Sequence, residues 1–183
     1  MLVLASKSPR RHELLKIITE DFVVKSADVE ENLPEGISPE KAVLYLSKIK
    51  AEPLANDVDT VIGADTVVAI NGKILGKPKN RENAFCMLKE LSGNTHSVFT
   101  GVTIFKGDSA TSFYAETKVK FYDLADDEIR AYVATGECDD KAGAYGIQNK
   151  GALLVESFEG DYFNIVGLPV ARLYRELKKL GAI

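Results

Sequence analysis

Residues 2–15 read L-V-L-A-S-K-S-P-R-R-H-E-L-L, and this stretch decides how the chain begins to fold. The apolar run Leu2–Ala5 is typical of a buried strand, and the apolar residues after Pro9 recur at helical spacing. Ser8 is a favoured N-cap residue, and proline is favoured at the first helical position because its missing N–H would be unpaired there anyway. The stretch therefore predicts a strand, a tight loop and a helix.

The start of this helix carries more positive charge than helix formation explains. Arg10 and Arg11 lie at the positive end of the helix dipole, where each charge is unfavourable by about 0.3–1 kcal/mol unless an anion binds nearby. Free N–H groups, the hydroxyls of Ser6 and Ser8, the ammonium of Lys7 and the two guanidinium groups could together hold a phosphate chain. A solvated basic first turn is the alternative.

The composition is that of one ordinary globular domain. Of the 183 residues, 45 % are hydrophobic and 27 % are charged, which disfavours global disorder and fibrous structure. The net charge of −4 argues against duplex DNA or an acidic membrane as the main partner, so we expect no stable nucleic-acid complex and no membrane association. The chain has no apolar run near the roughly 18 residues of a membrane span and no signal-peptide pattern. We therefore predict a cytoplasmic protein.

Strand patterns and amphipathic helical patterns alternate along the rest of the chain. Asn71-Gly72 predicts a two-residue hairpin turn. Strands are predicted at 21–26, 60–64, 67–70, 73–75, 96–105, 110–121 and 152–158, and helices are predicted to begin at Pro39, Arg81, Asp126 and Val170. Alternation with hairpins predicts an α/β fold with a mixed sheet flanked by helices.

Asp65 follows the apolar run Thr60–Ala64, and we expect it at the end of that strand. Sites of open α/β sheets tend to lie at the ends of central strands, so a carboxylate there could be a metal ligand or a general base. An aspartate that caps a turn at the strand end is an equal alternative.

Other charged residues could complete a phosphate site around Asp65. Glu30 or Glu31 could add a second carboxylate, because Mg²⁺ binds a few carboxylates together with phosphate oxygens and waters. Lys50 and Lys77 could then neutralise the phosphates. Each of these residues taken alone is more typical of a solvated surface charge.

The segment 140–148, D-K-A-G-A-Y-G-I-Q, is glycine-rich and fits neither a P-loop nor a dinucleotide fingerprint. Its glycines allow close backbone approach, and Gln148 can donate and accept hydrogen bonds at once, which suits the edge of a nucleobase. A tight structural crossover is the alternative. His12 and His96 have no evident serine or cysteine partner, so we predict His12 on a helix surface and His96 at the start of a strand.

The order and spacing of these motifs resemble the Maf family of nucleoside triphosphate pyrophosphatases over nearly the whole chain. The segments that carry the resemblance are A-S-K-S-P-R-R at 5–11, V-E-E at 29–31, K-I-K-A at 48–51, G-A-D-T at 63–66, G-K-P-K at 76–79, L-S-G-N-T-H-S-V at 91–98, D-K-A-G-A-Y-G-I-Q at 140–148 and N-I-V-G-L-P at 164–169. The resemblance implies a single Maf-like domain over 1–183, two-lobed around a central nucleotide cleft and similar to inosine triphosphatases.

The resemblance also implies a reaction: hydrolysis of surplus or non-standard nucleoside triphosphates to the monophosphate and pyrophosphate, with a divalent metal cation, Mg²⁺ or Mn²⁺. By the family pattern, Asp65 looks like the acceptor of the proton from water, and Glu31 and Asp65 look like the metal-binding carboxylates. The other matched site residues are Arg10, Thr66 and Gln148 for base preference, Ser6, Ser8 and Arg11 in the phosphate-binding loop, and the charged residues Lys50 and Lys77.

Within the family, the double arginine and Gln148 resemble the branch that acts on dTTP and UTP. Gln148 can read the imide edge shared by thymine and uracil. Arg10 would not stack on a cationic methylated purine, and the branch that acts on 7-methyl-GTP usually has an aromatic residue at that place.

The resemblance further suggests a homodimer that cleans the nucleotide pool. An alternative from another class is a regulator of septum formation and cell division that binds a nucleotide or a protein without turnover. The complete set of carboxylates favours the enzyme, because a pure binder would not need Asp65 as a base.

Overall fold

The first strand and the first helix form as predicted in the computed structural model, which describes all 183 residues. The four residues of the first strand, Leu2–Ala5, are all buried, and the first helix begins at Pro9 with Ser8 in the N-cap position. The Ser8 side chain makes no capping hydrogen bond. The helix ends at Lys16.

Seven strands and six α-helices make up the regular structure. The strands are β1 (Leu2–Ala5), β2 (Phe22–Lys25), β3 (Thr60–Ile70), β4 (Lys73–Leu75), β5 (Thr95–Lys106), β6 (Ser109–Phe121) and β7 (Val155–Glu159). The helices are α1 (Pro9–Lys16), α2 (Pro39–Ala51), α3 (Arg81–Leu91), α4 (Asp126–Ala134), α5 (Tyr162–Val166) and α6 (Val170–Lys179). None of these helices combines the length and the hydrophobicity that crossing a bilayer requires.

All seven strands belong to one sheet of order β2-β1-β3-β5-β6-β7, with β4 paired to β3. β1 pairs in parallel with both β2 and β3, whereas the β3–β4 and β6–β7 pairs are antiparallel. The predicted mixed sheet is therefore confirmed. Asn71 and Gly72 join β3 to β4 with φ angles of 51° and 77°, the left-handed conformations that a two-residue hairpin turn requires.

Two parts of the predicted strand pattern are wrong. Asp65 does not end a strand, because β3 runs without a break from Thr60 to Ile70. The polar residues in its middle are tolerated because their side chains find partners in neighbouring elements, as described below. The strand predicted at 152–158 begins only at Val155, because residues 149–154 form a 3₁₀ helix that starts with Asn149 at a φ of 54°.

The chain divides into two compact units, and each has its own apolar cluster. Unit 1 comprises 1–66, 100–115 and 167–183, and unit 2 comprises 67–99 and 116–166. One buried cluster of unit 1 contains Val3, Ala5, Ala51 and Val61. The cluster of unit 2 contains Leu88, Leu91, Phe121 and Ile129 among its members.

Helix α2 packs closely against strands of unit 1 at two glycines. A Cβ atom added to Gly63 would overlap the backbone carbonyl of Ser47 and lie 2.9 Å from the Ala51 Cβ, and one added to Gly101 would overlap the backbone of Val43. Gly63 and Asp65 are two residues apart on β3, so their side chains share a face of the sheet. The face of β3 that carries Asp65 is therefore the face against which α2 packs.

Candidate functional site

A mostly buried ion-pair network, here called the carboxylate–lysine cluster, joins Glu31, Lys50 and Asp65. The Lys50 Nζ donates a hydrogen bond to the Asp65 Oδ1 and lies 3.0 Å from the Glu31 Oε1. The side chains of Lys50 and Asp65 are 18 % and 12 % exposed, and that of Glu31 is 51 % exposed. The ammonium of Lys50 thus compensates the carboxylate that β3 carries in its interior.

The position of Lys50 follows from the packing of α2. Lys50 stands in the last turn of this helix, where a positive charge is favourable with respect to the helix dipole. The same helix is held against the strands of unit 1 at Gly63 and by a 2.9 Å hydrogen bond between the hydroxyls of Ser47 and Thr103. This close approach allows the Lys50 side chain to reach Asp65.

Glu31, and not Glu30, is the glutamate that contacts Lys50. The Glu30 Oε2 accepts a hydrogen bond of 3.1 Å from the Asn32 Nδ2 instead. The assignment of Glu31 as the second carboxylate of the site stays a prediction, and its ion pair with Lys50 is consistent with that prediction.

Arg11 of α1 is hydrogen-bonded to β3 and to the backbone at Gly167, all within unit 1. Its Nε donates to the Gly167 carbonyl oxygen at 2.8 Å, and its Nη2 donates to the Thr66 Oγ1 at 3.0 Å. Thr66 also shares a hydrogen bond of 2.9 Å with the Thr100 hydroxyl. The guanidinium fork is thereby fixed in orientation next to the residue that follows Asp65.

The electrostatic surroundings of Arg11 tie it to the carboxylate–lysine cluster. Burial lowers the pKa of the Arg11 guanidinium below its ordinary value, and the charge of Asp65 raises it again; Arg10 lowers it and Glu31 raises it by smaller amounts. An arginine remains protonated in spite of such shifts. Arg11 is therefore a permanent positive charge within electrostatic range of both carboxylates.

Hydrogen bonds of Ser6 hold the loop between β1 and α1 in place. Its hydroxyl accepts a hydrogen bond of 3.2 Å from the Ser8 N–H, and its own N–H donates to the carbonyl oxygens of Leu4 and Lys25 at 3.0 and 3.1 Å. The buried Ser6 therefore holds the loop, while Ser8 lies at the start of the helix.

His12 is half-buried and has a structural partner that the sequence pattern does not indicate. Its Nε2 lies 2.7 Å from the Ser6 carbonyl oxygen, and because a carbonyl can only accept, Nε2 carries the proton. The prediction of a surface histidine missed this contact because it spans a loop rather than a helical turn.

The site residues predicted from the sequence fall into both units. Unit 1 contains most of them: Ser6, Ser8, Arg10, Arg11, Glu31, Lys50, Asp65 and Thr66. Lys77 and Gln148 belong to unit 2, and both are exposed. The direct contacts described above join Glu31, Lys50 and Asp65 in one group, Arg11 and Thr66 in a second, and Ser6 and Ser8 in a third.

The carboxylates of the cluster form too small a donor set to enclose a metal ion by themselves. No group of three or more metal-ligating side chains occurs in the structure. Mg²⁺ in nucleotide enzymes is usually held by one or two carboxylates, with substrate phosphates and waters completing its shell. Glu31 and Asp65, which share one lysine, are a donor set of this size.

The chain is similar to known proteins over nearly its whole length. The family described as "Maf-like protein" matches residues 1–180. Among similar curated proteins, one from Geobacillus sp. is 50 % identical over 98 % of both chains, and one from Carboxydothermus hydrogenoformans is 52 % identical over 98 % of both. One from Thermosipho melanesiensis is 50 % identical over 94 % of both chains, and all three carry the name dTTP/UTP pyrophosphatase.

A solved structure supports the fold separately. The Staphylococcus aureus Ham1 protein superposes with a TM-score of 0.56 at 18 % identity, covering 97 % of this chain and 98 % of its own. At this identity the likeness concerns the fold alone, and it confirms the predicted α/β class. Since the family match and relatives of about 50 % identity both span nearly all of the sequence, the chain belongs to the Maf-like protein family.

Proposed function

We propose that this protein is a nucleoside triphosphate pyrophosphatase that hydrolyses dTTP and UTP to the monophosphate and pyrophosphate. The observation that carries the proposal is the carboxylate–lysine cluster, in which a carboxylate inside a strand is held by a lysine and lies within electrostatic range of the half-buried Arg11 guanidinium. Relatives of about 50 % identity over nearly the whole chain bear the name of this activity.

Asp65 is the proposed general base. Its carboxylate takes a proton from water while the water oxygen forms a bond to the α-phosphorus. The bond between that phosphorus and the oxygen bridging to the β-phosphate breaks, and pyrophosphate leaves with the electron pair. A carboxylate has two oxygens and several acceptor sites, so the hydrogen bond from Lys50 to Oδ1 orients the group without using up its capacity to accept a proton.

Four basic residues of the predicted site are the proposed partners of the phosphates. Lys50 and Arg11 are held by the contacts described above, and Arg10 and Lys77 would add two further charges. Positive charges stabilise the negative charge that develops on the leaving pyrophosphate, and Arg11 needs little rearrangement because its hydrogen bonds to Gly167 and Thr66 already orient it.

Glu31 and Asp65 would hold the divalent cation that the family resemblance implies. Such a cation, when bound, would neutralise phosphate oxygens. Lys50 would then exchange part of its contact with the two carboxylates for contact with the phosphates.

Base preference is assigned to Gln148, Arg10 and Thr66. Gln148 is exposed, so its amide is accessible to a base. The hydroxyl of Thr66 already bonds to Arg11 and Thr100, so Thr66 would act chiefly through the placement of Arg11.

The decisive experiment measures pyrophosphate release from dTTP, UTP, CTP, GTP and 7-methyl-GTP, with Mg²⁺ and with a chelator. We expect metal-dependent release that favours dTTP and UTP. Release mainly from 7-methyl-GTP would contradict the assigned base preference. No release from any of these nucleotides would contradict the enzymatic function and favour a binding protein without turnover.

The role of Asp65 is tested by Asp65→Asn, which keeps the shape of the side chain and removes the base. We expect turnover of dTTP to fall by about 10²–10⁴-fold, the usual contribution of general acid–base catalysis. Asp108→Asn is the matched control, because Asp108 lies exposed in the turn between β5 and β6. Near-normal turnover of Asp65→Asn would rule out its role as the base.

Cytoplasmic location, a homodimer and a role in cleaning the nucleotide pool extend the proposal. They rest on the family resemblance. Light scattering coupled to size-exclusion chromatography would give the oligomeric state directly.

A further inference from the structure

Backbone packing and a backbone hydrogen bond fix the glycine-rich segment, residues 140–148, within unit 2. Gly143 has a φ of 68°, and a Cβ atom at this position would lie 2.9 Å from three carbon atoms of the Val68 side chain. The Gly143 N–H donates a hydrogen bond of 3.0 Å to the carbonyl oxygen of Gly76. Gly76 directly precedes Lys77, so this hydrogen bond links the segment to the backbone that carries Lys77.

A second anchor of the segment is a buried hydrogen bond between Tyr145 and His96. The two residues are 5 % and 2 % exposed, and the His96 Nε2 lies 2.7 Å from the Tyr145 hydroxyl. Both rings also contact Phe121 edge-on, with ring centroids 4.7 to 5.3 Å apart within the three-ring group. The hydroxyl of Tyr145 is thus held in one direction by a polar partner and by close packing.

The Tyr145 hydroxyl is the hydrogen-bond partner of the His96 side chain. The other ring nitrogen of His96, Nδ1, is buried and has no hydrogen-bond partner. Burial lowers the pKa of His96 to about 4 and raises the pKa of Tyr145, so both groups are neutral near pH 7. A neutral imidazole with one unpaired nitrogen is unfavourable in an apolar core, and the bond to Tyr145 is the polar interaction that offsets this.

Tyr132 of α4 supplies a third anchor. Its hydroxyl accepts a hydrogen bond of 3.2 Å from the Gly146 N–H, and burial raises the pKa of this tyrosine to about 12. Gly146 follows Tyr145 directly, so two successive residues of the segment are held by side chains from the core.

Gln148 is exposed immediately after this pinned stretch. Tyr145 and Ile147 are buried, whereas Gln148 projects from the surface. The position of the Gln148 backbone is therefore set by residues 143–147, which the three anchors hold. A side chain that reads a base by hydrogen bonds needs such a rigid support, because a misplacement of about 1 Å already weakens recognition.

We propose that His96 and Tyr145 are positioning residues for base recognition, because their buried hydrogen bond holds the backbone that presents Gln148. This inference rests on the proposed function, in which Gln148 reads the thymine or uracil edge. Neither residue touches the nucleotide in this scheme, since both lie in the core of unit 2.

The primary test is Tyr145→Phe, which removes one hydroxyl and keeps the ring. We expect the KM for dTTP and UTP to rise about tenfold while kcat changes by less than about twofold, as befits the loss of one buried hydrogen bond outside the reacting centre. The preference for dTTP over CTP should fall in parallel. Tyr122→Phe is the matched control, because Tyr122 is 52 % exposed.

A double-mutant comparison separates positioning from general loosening of the fold. In a Gln148→Ala background, Tyr145→Phe should no longer change the preference for dTTP over CTP, because the group that it positions is gone. His96→Gln, which keeps a hydrogen-bonding group near Tyr145, should retain more of this preference than His96→Leu.

Binding of the products dTMP and dCMP tests the inference without a measurement of turnover. We expect Tyr145→Phe to lower the ratio of dTMP affinity to dCMP affinity, as measured by calorimetry. The inference is overturned if a folded Tyr145→Phe keeps the wild-type ratio, or if the wild type does not distinguish dTMP from dCMP. The proposed function fails on a different result, the absence of pyrophosphate release by the wild type.

Discussion

Acidification should destabilise this protein through one histidine in its core. His96 is 2 % exposed, and burial lowers its pKa from the ordinary value of 6.5 to about 4. Below pH 6.5 the unfolded chain therefore binds a proton at this residue that the folded protein does not bind. Stability is consequently highest above pH 6.5 and falls as the pH drops towards 4.

The expected loss of unfolding free energy follows from the pKa of His96 in the unfolded chain, 6.5, and in the folded protein, about 4. Their whole difference corresponds to about 3 kcal/mol of unfolding free energy. Between pH 7 and pH 5, where the folded protein still keeps His96 mostly neutral, the loss is about 2 kcal/mol. This is a large fraction of the roughly 5–15 kcal/mol that stabilises a typical domain.

The assay is urea unfolding at pH 7 and pH 5 of the wild type and of His96→Gln. Glutamine does not titrate, so the variant should lose about 2 kcal/mol less than the wild type over this interval. The surface carboxylates and His12, the other of the two histidines, are common to both proteins and cancel in the comparison. Equal losses in the two proteins would refute the reasoning that His96 is kept neutral by burial.

Two further predictions concern the packing and the charges around Asp65. Gly63→Ala should lower the unfolding free energy by about 1–3 kcal/mol or more, because its Cβ would overlap the Ser47 carbonyl. Urea unfolding measures this, with Gly76→Ala as the control, since a Cβ there meets no atom within 4 Å; equal stabilities of the two variants would contradict the close packing of α2. Lys50→Met should destabilise by about 1–3 kcal/mol by leaving Asp65 without its ammonium, and adding Asp65→Asn should recover part of this loss. Strictly additive losses in the double variant would show that the two side chains are not coupled.

Local signals predicted the elements of this fold well. Ser8-Pro9 and Ser38-Pro39 mark helix starts because proline is favoured in the first helical turn, although neither serine side chain makes a capping hydrogen bond. Asn71-Gly72 marks a hairpin because only a few residues adopt positive φ readily. Each of these signals is read within a few neighbouring residues, so no knowledge of the tertiary structure is needed.

The parts that could not be predicted depend on partners far away in the sequence. Asp65 was expected to end a strand, and only the ammonium of Lys50, supplied by another element, explains why β3 continues through it. Arg11 and Gly167 are 156 positions apart, and His96 and Tyr145 are 49 apart. No local sequence pattern predicts such contacts, although these residues lie in segments that carry the family resemblance.

The order in which the units occur along the chain has a consequence for synthesis on the ribosome. Unit 2 ends at residue 166, so all of its residues have been made before the last 17 are added. Unit 1 needs those last residues: the Gly167 carbonyl accepts from Arg11, and Lys106 donates to the carbonyl oxygens of Leu180 and Gly181. A chain released before residue 167 is made therefore lacks the acceptor for the Arg11 Nε, and unit 1 can form this hydrogen bond only after all of unit 2 has been synthesised.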